Sequence, residues 1–71
     1  MNLVINGKKT DTNDGLTVSE LLVKEEVKMP EMVSVELNGK IMKRSEFETT
    51  LLKDEDKVEF LYYMGGGSVA N

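Results

Sequence analysis

Three adjacent glycines, Gly65-Gly66-Gly67, follow the last apolar run of the chain. Glycine costs the most backbone entropy to order, so neither a strand nor a helix gains from such a run. The run does suit one chemical task. A tail without side chains can thread a narrow channel in a partner and present a carboxylate or carbonyl where any Cβ clashes. The competing reading is a frayed terminus, a common feature of domains. Other candidates are few. The chain has no Cys and no His. That removes thiolate zinc sites, disulfides, Cys or Ser-His nucleophiles and the usual neutral-pH acid and base. Asp54, Glu55, Asp56 and Glu59 lack the spacing of a calcium loop and read as a solvated turn, with a hard cation as the alternative. Arg44, the only arginine among nine basic residues, either grips a partner carboxylate or braces the segment around it. No catalytic residue, metal site or bound cofactor is expected.

Size and charge narrow the classes further. A chain of 71 residues buries only about 60% of its unfolded surface, which counts against a walled substrate cavity and a self-contained enzyme. A net charge of -4 opposes nucleic-acid binding, which runs on Lys and Arg neutralising phosphates. No stretch approaches the roughly 20 apolar residues of a membrane span, and the N-terminus carries no signal segment. The expectation is a cytoplasmic domain with neither membrane nor nucleic acid as partner.

The elements that must position the glycines follow from changes of period. Met1 to Asn6 reads as a strand with Leu3 and Ile5 facing inward. Asn6-Gly7 turns the chain, and Lys8 to Thr12 returns as a polar edge strand. Thr17 and Glu20 form a capping box, with Leu16 and Leu21 as a staple. Val18, Leu21 and Leu22 give the apolar stripe of a short helix that fades near Glu26. Val33, Val35 and Leu37 alternate as a half-buried strand, and Asn38-Gly39 is a second hairpin turn. Ile41 and Met42 begin a short return. Ser45 caps a brief turn holding Phe47 as a core plug. Leu51 and Leu52 lead into the acidic turn. The last strand, Lys57 to Tyr63, places Val58, Phe60 and Tyr62 on one face and Glu59, Leu61 and Tyr63 on the other. The sum is an α+β fold in the β-grasp (ubiquitin-like) order. It has a mixed four- to five-stranded sheet, one helix across one face, a domain over 1–64 and a flexible glycine-rich tail over 65–71.

The glycine run directly after such a last strand resembles the ThiS sulfur carriers of thiamin thiazole synthesis, within the ubiquitin-like superfamily. The resemblance covers residues 1 to 67. It includes Leu3-Val4-Ile5-Asn6-Gly7, Thr17-Val18-Ser19-Glu20-Leu21-Leu22, Val35-Glu36-Leu37-Asn38-Gly39 with Ile41, then Arg44 and Phe47, and Asp54-Glu55-Asp56-Lys57-Val58-Glu59. It implies a non-catalytic carrier whose C-terminal glycine is adenylated by a ThiF-type enzyme using ATP. A sulfur donor then makes the thiocarboxylate, and the thiazole synthase ThiG receives the sulfur. Gly67 is the implied acyl end, with Gly66 as alternative, and Gly65 and Gly66 thread the channel. Ser68-Val69-Ala70-Asn71 departs from that pattern, because a carrier must end in glycine. Removal by a peptidase after Gly67 accounts for the departure; leftover cloning residues and lost carrier chemistry compete with it. Leu61, Tyr63 and Met64, grouped beside the tail, are a partner-docking candidate. Three alternatives stay open: a carrier for cysteine, methionine, molybdopterin or thio-siderophore pathways, a protein modifier joined to lysines through Gly67, and a β-grasp binding module with an inert tail.

Overall fold

Two Asn-Gly turns divide the sheet into its working parts. The computed structural model describes residues 1–64 and 68–69, with side chains described through Tyr62. Strand β1 (Asn2–Ile5) turns through Asn6 and Gly7, at φ 50° and 83°, into β2 (Lys8–Asp11). Strand β3 (Val33–Leu37) turns through Asn38 and Gly39, at φ 52° and 86°, into β4 (Lys40–Ile41). Positive φ at both central residues matches the twist of a hairpin, and Asn and Gly tolerate it best. Strand β5 (Lys57–Met64) runs between these hairpins, giving the order β2-β1-β5-β3-β4. It is parallel to β1 and antiparallel to β3.

Helix α1 (Val18–Lys24) begins as the capping box requires. Thr17 Oγ1 accepts from Glu20 N at 3.2 Å, and Glu20 Oε1 accepts from Thr17 N at 2.8 Å. Seven residues cannot hold a helix alone, so its stability comes from the face it buries. Val18, Leu21 and Leu22 pack onto Leu3, Ile5, Val33, Val35, Val58 and Phe60 of the sheet, with Phe47 and Leu52 closing the layer. Leu52 enters the core while Leu51 stays exposed, because Leu52 N bonds back to Leu16 O at 2.8 Å and fixes the alternation.

Three details differ from expectation. Pro30–Met32 forms a 3-10 turn after a left-handed Met29, in a stretch without any periodic signal. The brief turn before Phe47 starts two residues earlier than a Ser45 cap implies, with Lys43 at the cap position. It spans Arg44–Glu46, because the Glu46 carboxylate reaches back to Lys43 N at 3.0 Å. A two-residue strand, β6 (Ser68–Val69), pairs antiparallel with the end of β5, Tyr63 opposite Val69 and Met64 opposite Ser68.

Candidate functional site

Strand β5 leads into the glycine run, so what holds β5 positions the site. On one side, β3 pairs with it from Leu37 opposite Val58 to Val33 opposite Tyr62. On the other, β1 reaches only Ile5 opposite Val58. Past that point the backbone of β5 loses its strand neighbour on the β1 side. Asn6 fills the first gap: its Oδ1 accepts from Phe60 N at 2.8 Å. Asn38 does the same at the start of the strand, accepting from Lys57 N at 2.9 Å and donating to Asp56 Oδ1 at 3.0 Å. Each turn asparagine therefore serves twice, once for its left-handed backbone and once as a clamp on β5. Sequence alone reveals only the turns. The Asn-Gly signal is local, whereas the clamp spans 54 positions of the chain in one case and 19 in the other.

Asn6→Gly separates those two roles, since glycine keeps the positive φ and loses the acceptor. The expected result is faster hydrogen exchange at the Phe60 amide and a stability loss of about 1 kcal/mol. An unchanged Phe60 exchange rate would show that the clamp contributes nothing.

Beyond Asn6, β5 overruns both β1 and β3, and at Tyr63 and Met64 its partner is β6. The following segment thus leaves from the centre of the sheet and not from its edge. The candidate acyl end Gly67, its alternative Gly66 and the threading residue Gly65 lie outside the described residues, as do the side chains of Tyr63 and Met64. Leu61 is half-buried on the sheet face opposite the helix, with Val4 half-buried on the same face of β1. Phe60 faces the core and Tyr62 packs against it, as their alternation requires.

The remaining candidates resolve into structural parts. Arg44 donates to Pro30 O at 3.1 Å, Glu31 O at 2.6 Å and Val33 O at 2.6 Å, and its guanidinium lies 5.5 Å from the Phe47 ring centre. Of its two readings, this is the brace: it fastens the non-periodic stretch before β3 to the turn before Phe47. The acidic turn is likewise occupied with backbone. Asp54 Oδ1 accepts from Asn2 N at 2.6 Å, and Asp56 Oδ2 accepts from Lys53 N at 2.8 Å. Among the described residues no group of three or more His, Cys, Asp or Glu is placed to hold a metal ion. At the far end of β1 from the glycines, the Met1 ammonium donates to Asp14 Oδ1 at 2.9 Å and to Thr12 O at 2.7 Å. The Asp14 hydrogen bond holds its pKa above the usual value near 8. Among the described residues no helix is long and apolar enough to cross a membrane.

A helix crossing one face of a mixed sheet, with β5 central, parallel to β1 and leading into a glycine run, defines a β-grasp domain of the ubiquitin-like kind. The comparisons with known proteins narrow the class. The model of the ThiS family matches residues 3–67, and the chain belongs to that family. It is similar to the thiamine biosynthesis protein (ThiS) from Geobacter metallireducens. The crystal structure of that protein is 49% identical, with a TM-score of 0.87 over 94% of this chain and 100% of that one. Its NMR solution structure is 48% identical, with a TM-score of 0.77 over 100% of this chain and 94% of that one. Among curated proteins, the chain is 37% identical over 68 residues to a thiazole synthase of Paramagnetospirillum magneticum, covering 96% of this chain and 21% of the relative. It is 30% identical over 67 residues to a thiazole synthase of Magnetococcus marinus, covering 94% of this chain and 20% of the relative. The chain thus spans about a fifth of the length of the curated relatives it matches.

Proposed function

We propose that this chain is the sulfur carrier of thiamin thiazole formation, a co-substrate of partner enzymes and not itself a catalyst. The observation that carries the reading is where the family match stops. It runs through the domain and the glycines and ends at Gly67. Gly67 is the acyl end, Gly66 its alternative, and Gly65 and Gly66 thread the partner's channel.

The chemistry follows from the weakness of a carboxylate as an electrophile. An adenylating enzyme of the ThiF type directs the Gly67 carboxylate onto the α-phosphorus of ATP, and pyrophosphate leaves. The acyl-adenylate then accepts a sulfur nucleophile from the donor, and AMP leaves. The product is a thiocarboxylate, delivered to a thiazole synthase of the ThiG type. Support for that destination comes from the curated relatives, in which a segment like this chain makes up about a fifth of a protein called thiazole synthase. A peptidase removes the residues after Gly67. Leu61, Tyr63 and Met64, around the start of the tail, meet the partners. ATP belongs to the activating enzyme, and the carrier holds no cofactor of its own. A protein that must meet ATP in this way works in the cytoplasm.

The test is intact-mass analysis of a chain ending at Gly67 after incubation with the adenylating enzyme, ATP and the sulfur donor. The expected result is a mass gain equal to one oxygen exchanged for one sulfur, dependent on ATP. A chain whose mass stays fixed under these conditions defeats the proposal.

A further inference from the structure

Successive residues of a strand point their N–H and C=O groups to opposite sides. In β5 the even-numbered residues point toward β1: Val58 O accepts from Asn6 N at 2.9 Å, and Phe60 N donates to Asn6 Oδ1 at 2.8 Å. The odd-numbered ones point toward β3, as Lys57 O does in accepting from Asn38 N at 2.8 Å. Tyr62 and Met64 therefore turn their backbone groups to the β1 side, where β1 pairs no further than Ile5 opposite Val58. Among residues 1–64 no strand covers these two positions on that side. Unpaired strand backbone is a template for another strand. A groove lined by Ile5, Asn6, Phe60 and Tyr62 on the sheet, with Val27 and Lys28 on its other wall, opens beside this edge.

Strand β6 shows what comes back along β5: Ser68 stands opposite Met64, and Val69 opposite Tyr63. Three residues, all glycine, join Met64 to Ser68. A three-residue connection is a common hairpin loop with one left-handed position, which glycine fills without strain. A return on the β3 side meets Val33 at Tyr62 and stops there. On the β1 side the lane stays open as far as the Asn6 clamp on Phe60. We infer that the open β1-side edge of β5 is the docking lane of the chain's own residues 68–71, which close Gly65, Gly66 and Gly67 into the turn of a hairpin and withhold them from any partner. Continued in the same register, Ala70 stands opposite Tyr62 and Asn71 opposite Leu61. The docking stands on the strand pairing; only its consequence rests on the carrier reading above. Two short strands are marginal together, so the lane holds the segment loosely enough for it to open. Once the Gly67–Ser68 bond is hydrolysed the strand is gone, and the same glycines are free to thread a channel. The run then has two uses, a turn in the longer chain and a thread in the shorter one.

Amide hydrogen exchange compares three samples: the full chain, the full chain with Ala70→Pro, and a chain ending at Gly67. Proline at position 70 removes the N–H that donates to Tyr62 O in the docked hairpin. The Tyr62 and Met64 amides are expected to exchange about tenfold faster in the shortened chain, the scale of one backbone hydrogen bond, and Tyr62 also faster in Ala70→Pro. The Phe60 amide, held by Asn6, stays the same in all three and serves as the control. In NMR relaxation the amides of Gly65 to Gly67 are expected to be ordered in the full chain and to fall below an order parameter of about 0.6 in the shortened one. Equal exchange in all three samples overturns the inference and leaves the mass test of the carrier reading untouched. A change at the Tyr63 amide alone puts β6 on the β3 side and overturns the lane. Protection that grows with protein concentration gives the edge to a second copy of the chain and overturns it as well. A docked hairpin in a chain that gains no sulfur once shortened upholds the lane and overturns the carrier reading.

Discussion

A chain that keeps Ser68 to Asn71 forms no adenylate with the activating enzyme and ATP, while the same chain stopped at Gly67 does. Two physical reasons converge on this result. In the longer chain the Gly67 carbonyl belongs to a peptide bond, whose resonance removes the charged oxygen that must attack phosphorus. The carboxylate at the new end is carried by Asn71, and the side chains of Val69 and Asn71 must pass where a glycine channel leaves no room for a Cβ. The backbone adds a third. Ser68 and Val69 pair with Met64 and Tyr63, so the longer chain returns along β5. The expected difference in pyrophosphate release is at least about a hundredfold, the scale of losing correct placement of a reacting group. Equal release from both forms would exclude Gly67 as the acyl end. Restoring release by adding a peptidase that cuts after Gly67 would tie the effect to the cut itself.

The glycine run was legible in the sequence because its composition contradicts every regular element. Its placement needed the fold. Only the central position of β5, parallel to β1 and overrunning both neighbours, shows why the run leaves from the middle of the sheet. The pairing of β3 with β5 was hidden for a related reason. Glu36 and Glu59 are 23 positions apart and each is an ordinary polar residue on an alternating strand. Nothing local says that register sets one opposite the other. Arg44 shows the limit from the other side. Its type suited both a brace and a partner contact, and only the three carbonyls around its guanidinium decided between them.

Strands and helix were readable where period and capping agreed. Thr17 with Glu20, and the two Asn-Gly turns, marked their boundaries to within a residue or two. The stretch from Glu26 to Met32 was not readable, because its backbone is set by tertiary contacts. Glu26 and Met29 both adopt φ 54°, which their side chains do not favour. Val27 packs against the core and Arg44 fastens the carbonyls beyond it. Local sequence carries no signal for a conformation imposed from 14 positions away.

Leu21→Ala should remove about 3 kcal/mol of stability, the usual range for a buried leucine being about 2–5 kcal/mol. Leu21 is fully buried between the helix and the sheet, and the seven-residue helix has no independent stability to fall back on. A domain of this length has roughly 4–10 kcal/mol in total, so the loss is a large share of the whole. The melting temperature falls by on the order of 15 °C. Val23→Ala, two residues along the same helix but 79% exposed, serves as the control. It should stay within about 0.5 kcal/mol of wild type. The two variants also separate folding from carrier function. On a chain ending at Gly67, Leu21→Ala should lose charging only as the fraction unfolded rises, and recover it on cooling. A Leu21→Ala chain that is fully folded yet uncharged would mean that the helix layer contacts the enzyme directly.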